Sequence, residues 1–363
     1  MCHQMINRYL GLLVGLFLFL FIFLGLAFYD KKSRLTEKDY ILIDAFFEKV
    51  KPQCIGRFVV DVPIEFDNMT DNQVFIDDFR IESKFIYPPA FKQRIALREQ
   101  ELRNGKTSEK NAPVLKEIIT LPDGKGVIFD RNKSGQDDLI RTLEAHVYVD
   151  LIAFIITVDI LDLSNPKYFN RKKTYENAGF SVYDMNEKPT KLAVLRSLIS
   201  RLSGRENGNI PFDKGVCIPN GFIADDGRKH KEIISFTYEN DDFILGFKSD
   251  NTANGSNDTL FNRSDQINEA MSLSKKYTIK KETLSPNGIP SLEWLMVGKQ
   301  NKKEDADLFE FILYSNEMIA DPQKPLLYIG LNNADKKTQY SQSQLVEIWD
   351  RIIDSLRYKP NAF

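Results

Sequence analysis

Three histidines, His3, His146 and His230, are the side chains of this sequence best suited to move protons at neutral pH. His146 stands in a strand pattern, and His230 sits among Arg228, Lys229 and Lys231 in a turn-like stretch. Neither belongs to an H-E-x-x-H arrangement, and with Cys54 and Cys217 far apart the chain offers no zinc-ligand spacing. No G-x-S-x-G elbow, Walker loop or G-x-G-x-x-G fingerprint occurs; Gly124-Lys125-Gly126 follows Pro122-Asp123 as a hairpin turn rather than a phosphate cradle. Four acidic pairs, Asp77-Asp78, Asp137-Asp138, Asp225-Asp226 and Asp241-Asp242, could in principle flank a glycosidic bond. They fall at turns and strand ends, where Asp bonds to its own backbone, and read as solvated surface. The expectation is no catalytic, metal or cofactor site.

The elements that would position such residues come in two similar sets. In the first, strand patterns at Val74–Ile86, Leu115–Leu121, Gly126–Arg131 and Leu143–Asp159 surround a helix over Ala90–Arg103, whose Phe91, Ile95, Arg98 and Leu102 line one side. The second offers Glu232–Tyr238 and Phe243–Lys248, a helix over Asp265–Lys275, then strands at Tyr277–Leu284, Ser291–Val297, Leu308–Tyr314 and Leu326–Leu331. Each set closes on an amphipathic helix. Leu195, Leu198, Ile199 and Leu202 share a face in one, and Leu345, Ile348, Trp349, Ile352, Ile353 and Leu356 in the other, so these stripes are core. Consecutive strands outnumber helices, which predicts an α+β fold of two similar domains, each a mainly antiparallel sheet with packed helices.

Two pairs of segments make this an internal duplication. Cys54-Ile-Gly-Arg-Phe-Val-Val-Asp61 is matched by Cys217-Ile-Pro-Asn-Gly-Phe-Ile-Ala-Asp225 with one residue inserted, and Leu198–Asn207 lies beside Ile352–Asn361 without a gap. Gly204–Gly215 gathers Gly, Asn and Pro as a linker, placing the cut near Asn209. The expected domains are 30–208 and 209–363, after a segment 1–29 of different character. Asp162–Lys191 reads as a long polar connection, and Ser249–Arg263 as an exposed loop.

With 363 residues, 42% apolar and 28% charged side chains and a net charge of -2, the chain has an ordinary globular surface without a nucleic-acid footprint. Tyr9–Tyr29 departs from this. It is an uncharged run rich in Leu and Phe whose roughly 21 residues would rise about 31 Å as a helix, enough to cross a bilayer. It reads first as an uncleaved transmembrane anchor. Gly25 and Ala27 stand at the spacing a signal peptidase reads, which makes a cleaved signal the second reading. Lys31, Lys32 and Arg34 after the run pull against export, whereas Cys54 and Cys217 are a pair free to form one bridge. Two buried free thiols are the alternative.

Cys54–Pro63, Ile210–Ile223 and Ile348–Arg357 together carry a resemblance, extended by the helix around Phe91–Leu102 and the Ser291-Leu-Glu-Trp294 strand. Over about Cys54 to Pro360 the chain resembles the cognate immunity proteins of type VI secretion lipase (Tle) effectors, the fourth family in that nomenclature. The resemblance implies a periplasm-facing protein of two α+β domains that binds a phospholipase effector, blocks its access to lipid and catalyses nothing. Its soluble part would lie in the periplasm and the N-terminal helix in the inner membrane, with no small-molecule substrate and partner-binding residues unassigned. A bridge from Cys54 to Cys217 would then tie the start of one domain to the start of the other. The competing reading is an envelope-anchored scaffold or sensor that binds another envelope protein.

Overall fold

A computed structural model describes residues 35–69, 72–300, 306–334 and 336–363. Helix α1 (Glu37–Phe46) opens on Thr36, whose hydroxyl caps Asp39 while the Asp39 carboxylate returns to the Thr36 amide. Next come β1 (Val50–Ile55), β2 (Phe58–Pro63), β3 (Asp67–Asn68), β4 (Val74–Ile76), β5 (Phe79–Phe85), α2 (Pro88–Asn104), β6 (Leu115–Thr120), β7 (Gly126–Asn132), β8 (Ile140–Val149) and β9 (Ile152–Leu161). The first half ends with α3 (Phe169–Asn177), α4 (Lys188–Arg201) and β10 (Leu202–Gly204). The second half comprises β11 (Gly215–Ile218), β12 (Gly221–Ala224), β13 (Glu232–Glu239), β14 (Ile244–Asp250), α5 (Ser264–Leu273), β15 (Tyr277–Leu284), β16 (Ser291–Lys299), β17 (Asp307–Ser315) and β18 (Leu326–Asn332). It closes with α6 (Gln342–Asp354) and β19 (Arg357–Tyr358).

The halves share one 13-stranded sheet of order β15-β16-β17-β18-β14-β13-β4-β5-β9-β8-β7-β6, with β3 beside β13. Read outward from the central β4–β13 pair, both arms repeat the same order, so β4–β9 and β13–β18 are the two copies of one antiparallel unit. Open sheets of this width are uncommon. Both edges carry the device that blunts them: the register of β6 shifts between Leu115 and Glu117, and that of β15 between Thr278 and Lys280.

The continuous core lies on one face of the sheet, beneath α4, α6 and the two opening hairpins. On α6 alone, Leu345, Ile348, Trp349, Ile352 and Ile353 are buried, each contributing about 1.5–3 kcal/mol by removal from water. Trp349 donates to Glu293 and Gln344 to Asp39, so the polar side chains buried on this helix are partnered.

The halves also exchange their closing strands. β10, which follows α4 of the first half, pairs with β12 of the second, while β19, which follows α6 of the second, pairs with β2 of the first. In both hairpins two residues form the turn, Gly56-Arg57 and Pro219-Asn220, and Cys54 and Cys217 hold equivalent registers opposite Val59 and Phe222. The inserted residue expected from the sequence is therefore absent, and Asp61 matches Ala224 rather than Asp225. The turn chemistry had disguised the match: Gly56 takes positive φ at the first turn position, whereas Asn220 takes it at the second, after Pro219. The bridged Cys54 and Cys217 have Cα atoms 5.7 Å apart and meet where the two hairpins cross, with Gly56 and Cys217 exchanging backbone bonds.

One expected connection differs. Asp162–Lys191 contains α3 as well as the first turn of α4, with Leu163 and Met185 buried beneath them. Helix α3 buries no residue of its own, so its sequence carries no apolar stripe. Within Ser249–Arg263, Thr259 and Leu260 are buried. The expected span Tyr9–Tyr29 lies outside the described residues, among which no helix is long and apolar enough to cross a membrane.

Candidate partner-binding face

Strand register fixes which side chains look away from the main core. Glu144 on β8 stands opposite Thr157 on β9, Thr157 opposite Arg80 on β5, Arg80 opposite Phe75 on β4, and Phe75 opposite Ile233 on β13. The row continues through Asp250 on β14 to Leu326 on β18, from which alternation leads to Tyr328, paired with Tyr314 on β17. Helices α2 and α5 pack on this second face at the two ends of that row. Ile95 and Leu102 meet Phe129 at one end, and Ile267 and Met271 meet Trp294 at the other. Between them β9, β5, β4, β13, β14 and β18 carry no helix among the described residues. At about 4.8 Å per strand the floor is roughly 24 Å across, wide enough for a helix or a protruding loop of another protein. Apart from the small Ala153 and Gly330, its outward residues are exposed or half-buried, Arg80 and Lys248 among the exposed ones.

Each wall holds a cleft. The first, of about 540 Å³, is lined by α2 residues Arg94, Leu97 and Arg98 and by Glu144, His146 and Ile155 of the sheet. Here Arg98 makes a bidentate pair with Glu144 at 2.7 and 2.8 Å, and His146 Nε2 lies 2.8 Å from Glu144 Oε1. Arg131 Nε also donates to Glu144. Burial by itself would push Glu144 up, but the bonds from His146 and Arg98 and the Arg131 charge outweigh it and hold the carboxyl well below the usual range. The second cleft, of about 300 Å³, lies between α5 and β17 and is lined by Leu260, Arg263, Tyr314 and Glu317.

His230 occupies the seam instead. Its Nδ1 lies 2.8 Å from Asp77 of the first half and its Nε2 3.0 Å from Asp226. Beside it the Arg57 guanidinium spans Glu232 at 2.6 and 3.0 Å and Asp225 at 2.9 and 3.0 Å, and also donates to the Ala362 carbonyl. Of the other acidic residues, Asp78 pairs with Lys191, Asp137 with Arg171, and Asp138 with Lys116 and Lys167. The acidic pairs thus serve ion pairs and turns. Among the described residues no group of three or more His, Cys, Asp or Glu could hold a metal.

Against this geometry, the N-terminal domain of the Tle cognate immunity protein 4 family matches residues 51–205, and its C-terminal domain matches residues 209–361. The chain belongs to the Tle cognate immunity protein 4 family. It is not an enzyme. The fold is also that of solved structures. The apo immunity protein TplEi of T6SS from Pseudomonas aeruginosa superposes with a TM-score of 0.67 at 18% identity, over 86% of this chain and 98% of that one. The Tle4-Tli4 complex contains a chain with a TM-score of 0.65 at 20% identity, over the same shares. A second TplEi structure, complexed with "L" peptide, gives 0.60 at 18% identity, again over 86% of this chain and 98% of that one. No curated protein matches the chain.

The sequence motifs that carry the family resemblance build the exchanged hairpins, the closing helix, the α2 wall and β16, and none of them lies on the six strands of the floor. Sequence reading left the partner-binding residues unassigned and missed Glu144 and Arg131. Part of their signal was present, because Arg131, Glu144 and His146 stand, with Asp130 and Arg141, among the apolar residues of β7 and β8.

Proposed function

We propose that this member of the immunity family captures a secreted lipase effector in the trough between α2 and α5 and keeps it from lipid. The observation that carries the reading is the uncovered floor with a wall from each half, in a chain whose family is defined by immunity to Tle effectors. A chain of the same fold is named with Tle4 in a complex, which supports a protein partner over a small ligand. A trough made by two halves of one rigid sheet contacts a protruding segment from two sides and buries more area than a single flat face. We further read Tyr9–Tyr29 as an inner-membrane anchor with the folded part in the periplasm. The apolar run and the joined Cys54 and Cys217 support that placement, and it concentrates the inhibitor at the surface its target attacks.

Thr157→Arg together with Ile233→Arg plants two long cations on the floor without touching the main core. Titration against a cognate Tle effector is expected to show at least about thirtyfold weaker binding, the scale of one interface hot spot of ~2 kcal/mol. Unchanged binding by a variant with wild-type melting would place the interface elsewhere.

A further inference from the structure

The charges around the first-half cleft do not balance. Arg98 is taken up by Glu144 and Glu101, and Arg131 by Glu144. Arg94, one turn before Arg98 on the same face of α2, also lines the cleft and is half-buried, yet it forms no ion pair or hydrogen bond among the described residues. A guanidinium presents five donors in a fixed fork that matches a carboxylate, and a half-buried one gains most from such a partner. Beside it Leu97 is 59% exposed, and Ile155 and Ala90 supply further apolar wall. At the bottom His146 is buried, with Nδ1 lacking a hydrogen-bond partner.

The second-half cleft differs. There Arg263 is enclosed by Asp258 and Glu317, so that cleft holds no unpartnered guanidinium among the described residues. The two walls are thus unlike at equivalent places in the duplicated fold, and only the α2 wall offers an open arginine.

We infer that the first-half cleft is an acidic-residue subsite, in which Arg94 takes the carboxylate of an Asp or Glu on the captured protein while Leu97 and Ile155 cover an apolar neighbour of that residue. This rests on the reading of the trough as the capture face and gives it a direction. The captured segment lies with its acidic end against α2.

The subsite can be tested without the effector. N-acetyl-leucyl-aspartate amide and its asparagine analogue, at millimolar concentration, would be titrated into the folded chain from Asp30 onward. The imidazole resonances of His146, identified with His146→Gln, report occupancy. The aspartate peptide is expected to give a saturable shift that weakens with added salt, and the asparagine peptide about tenfold weaker binding. Arg94→Gln should remove that difference, while Lys92→Gln, on the exposed side of α2, should keep it. Equal shifts by both peptides, or none, would overturn the subsite. A parallel titration of Arg94→Gln with a cognate Tle effector separates the two claims. Wild-type capture with unchanged affinity in Arg94→Gln removes the subsite and spares the capture reading; no capture by the wild type removes the capture reading, and the peptide result alone then decides the cleft.

Discussion

At the residue scale, Glu144 organises the first wall by holding Arg98, Arg131 and His146 together. Its ordinary value of 4.5 is lowered in the fold, so its contribution to stability is fully present above about pH 4.5 and is lost as the pH falls toward the folded value. Glu144→Gln leaves two guanidinium groups around a neutral amide and is expected to cost about 3–5 kcal/mol at pH 7, the usual penalty for removing one partner of a buried pair. In urea titrations from pH 7 to pH 3 that gap should narrow below about pH 4.5, because the wild type then loses what the variant never had. A gap independent of pH would show that Glu144 is held by packing rather than by charge.

At the element scale, the exchanged strands make the duplication one folding unit. Tyr358 on β19 stacks on Phe58 of β2 with ring centroids 5.0 Å apart, and its hydroxyl accepts from Asn316, joining the end of the second half to the start of the first. Tyr358→Ala is expected to cost about 3 kcal/mol, as for truncation of a well-packed aromatic ring. Amide exchange should then speed up in β8 and β9 as well as in β16 and β17. Loss of protection confined to the second half would mean that the exchange does not couple the halves. The long strands and the closing helices were legible in the sequence because alternation and the Leu345–Leu356 stripe are local patterns. The exchange was not legible, since Leu202–Gly204 and Arg357–Tyr358 are too short to show a period and their partners lie in the other half. Helix α3 escaped for the opposite reason: without a buried face it has no pattern to read. The face proposed for the partner stayed hidden because a floor of alternating polar and apolar residues looks like any solvated sheet, and only register shows that Thr157 and Ile233 share it.

At the scale of the whole molecule, the Cys54–Cys217 bridge closes a loop with a sequence separation of 163 residues at the crossing of the two opening hairpins. In the chain-entropy picture a loop of that size constrains the unfolded chain by about 5 kcal/mol, so the bridge reinforces the same junction as Arg57 and the exchanged strands. A junction fixed this firmly holds the α2 and α5 walls at one spacing, and a trough that need not reorganise keeps more of its contact energy for the partner. Capture with inhibition tests this account most directly: the chain from Asp30 onward, mixed with its cognate Tle effector, with complex mass and remaining lipase activity read from the same tube. The account predicts a stoichiometric complex in which activity is lost. Full activity with no complex at micromolar concentration would contradict it.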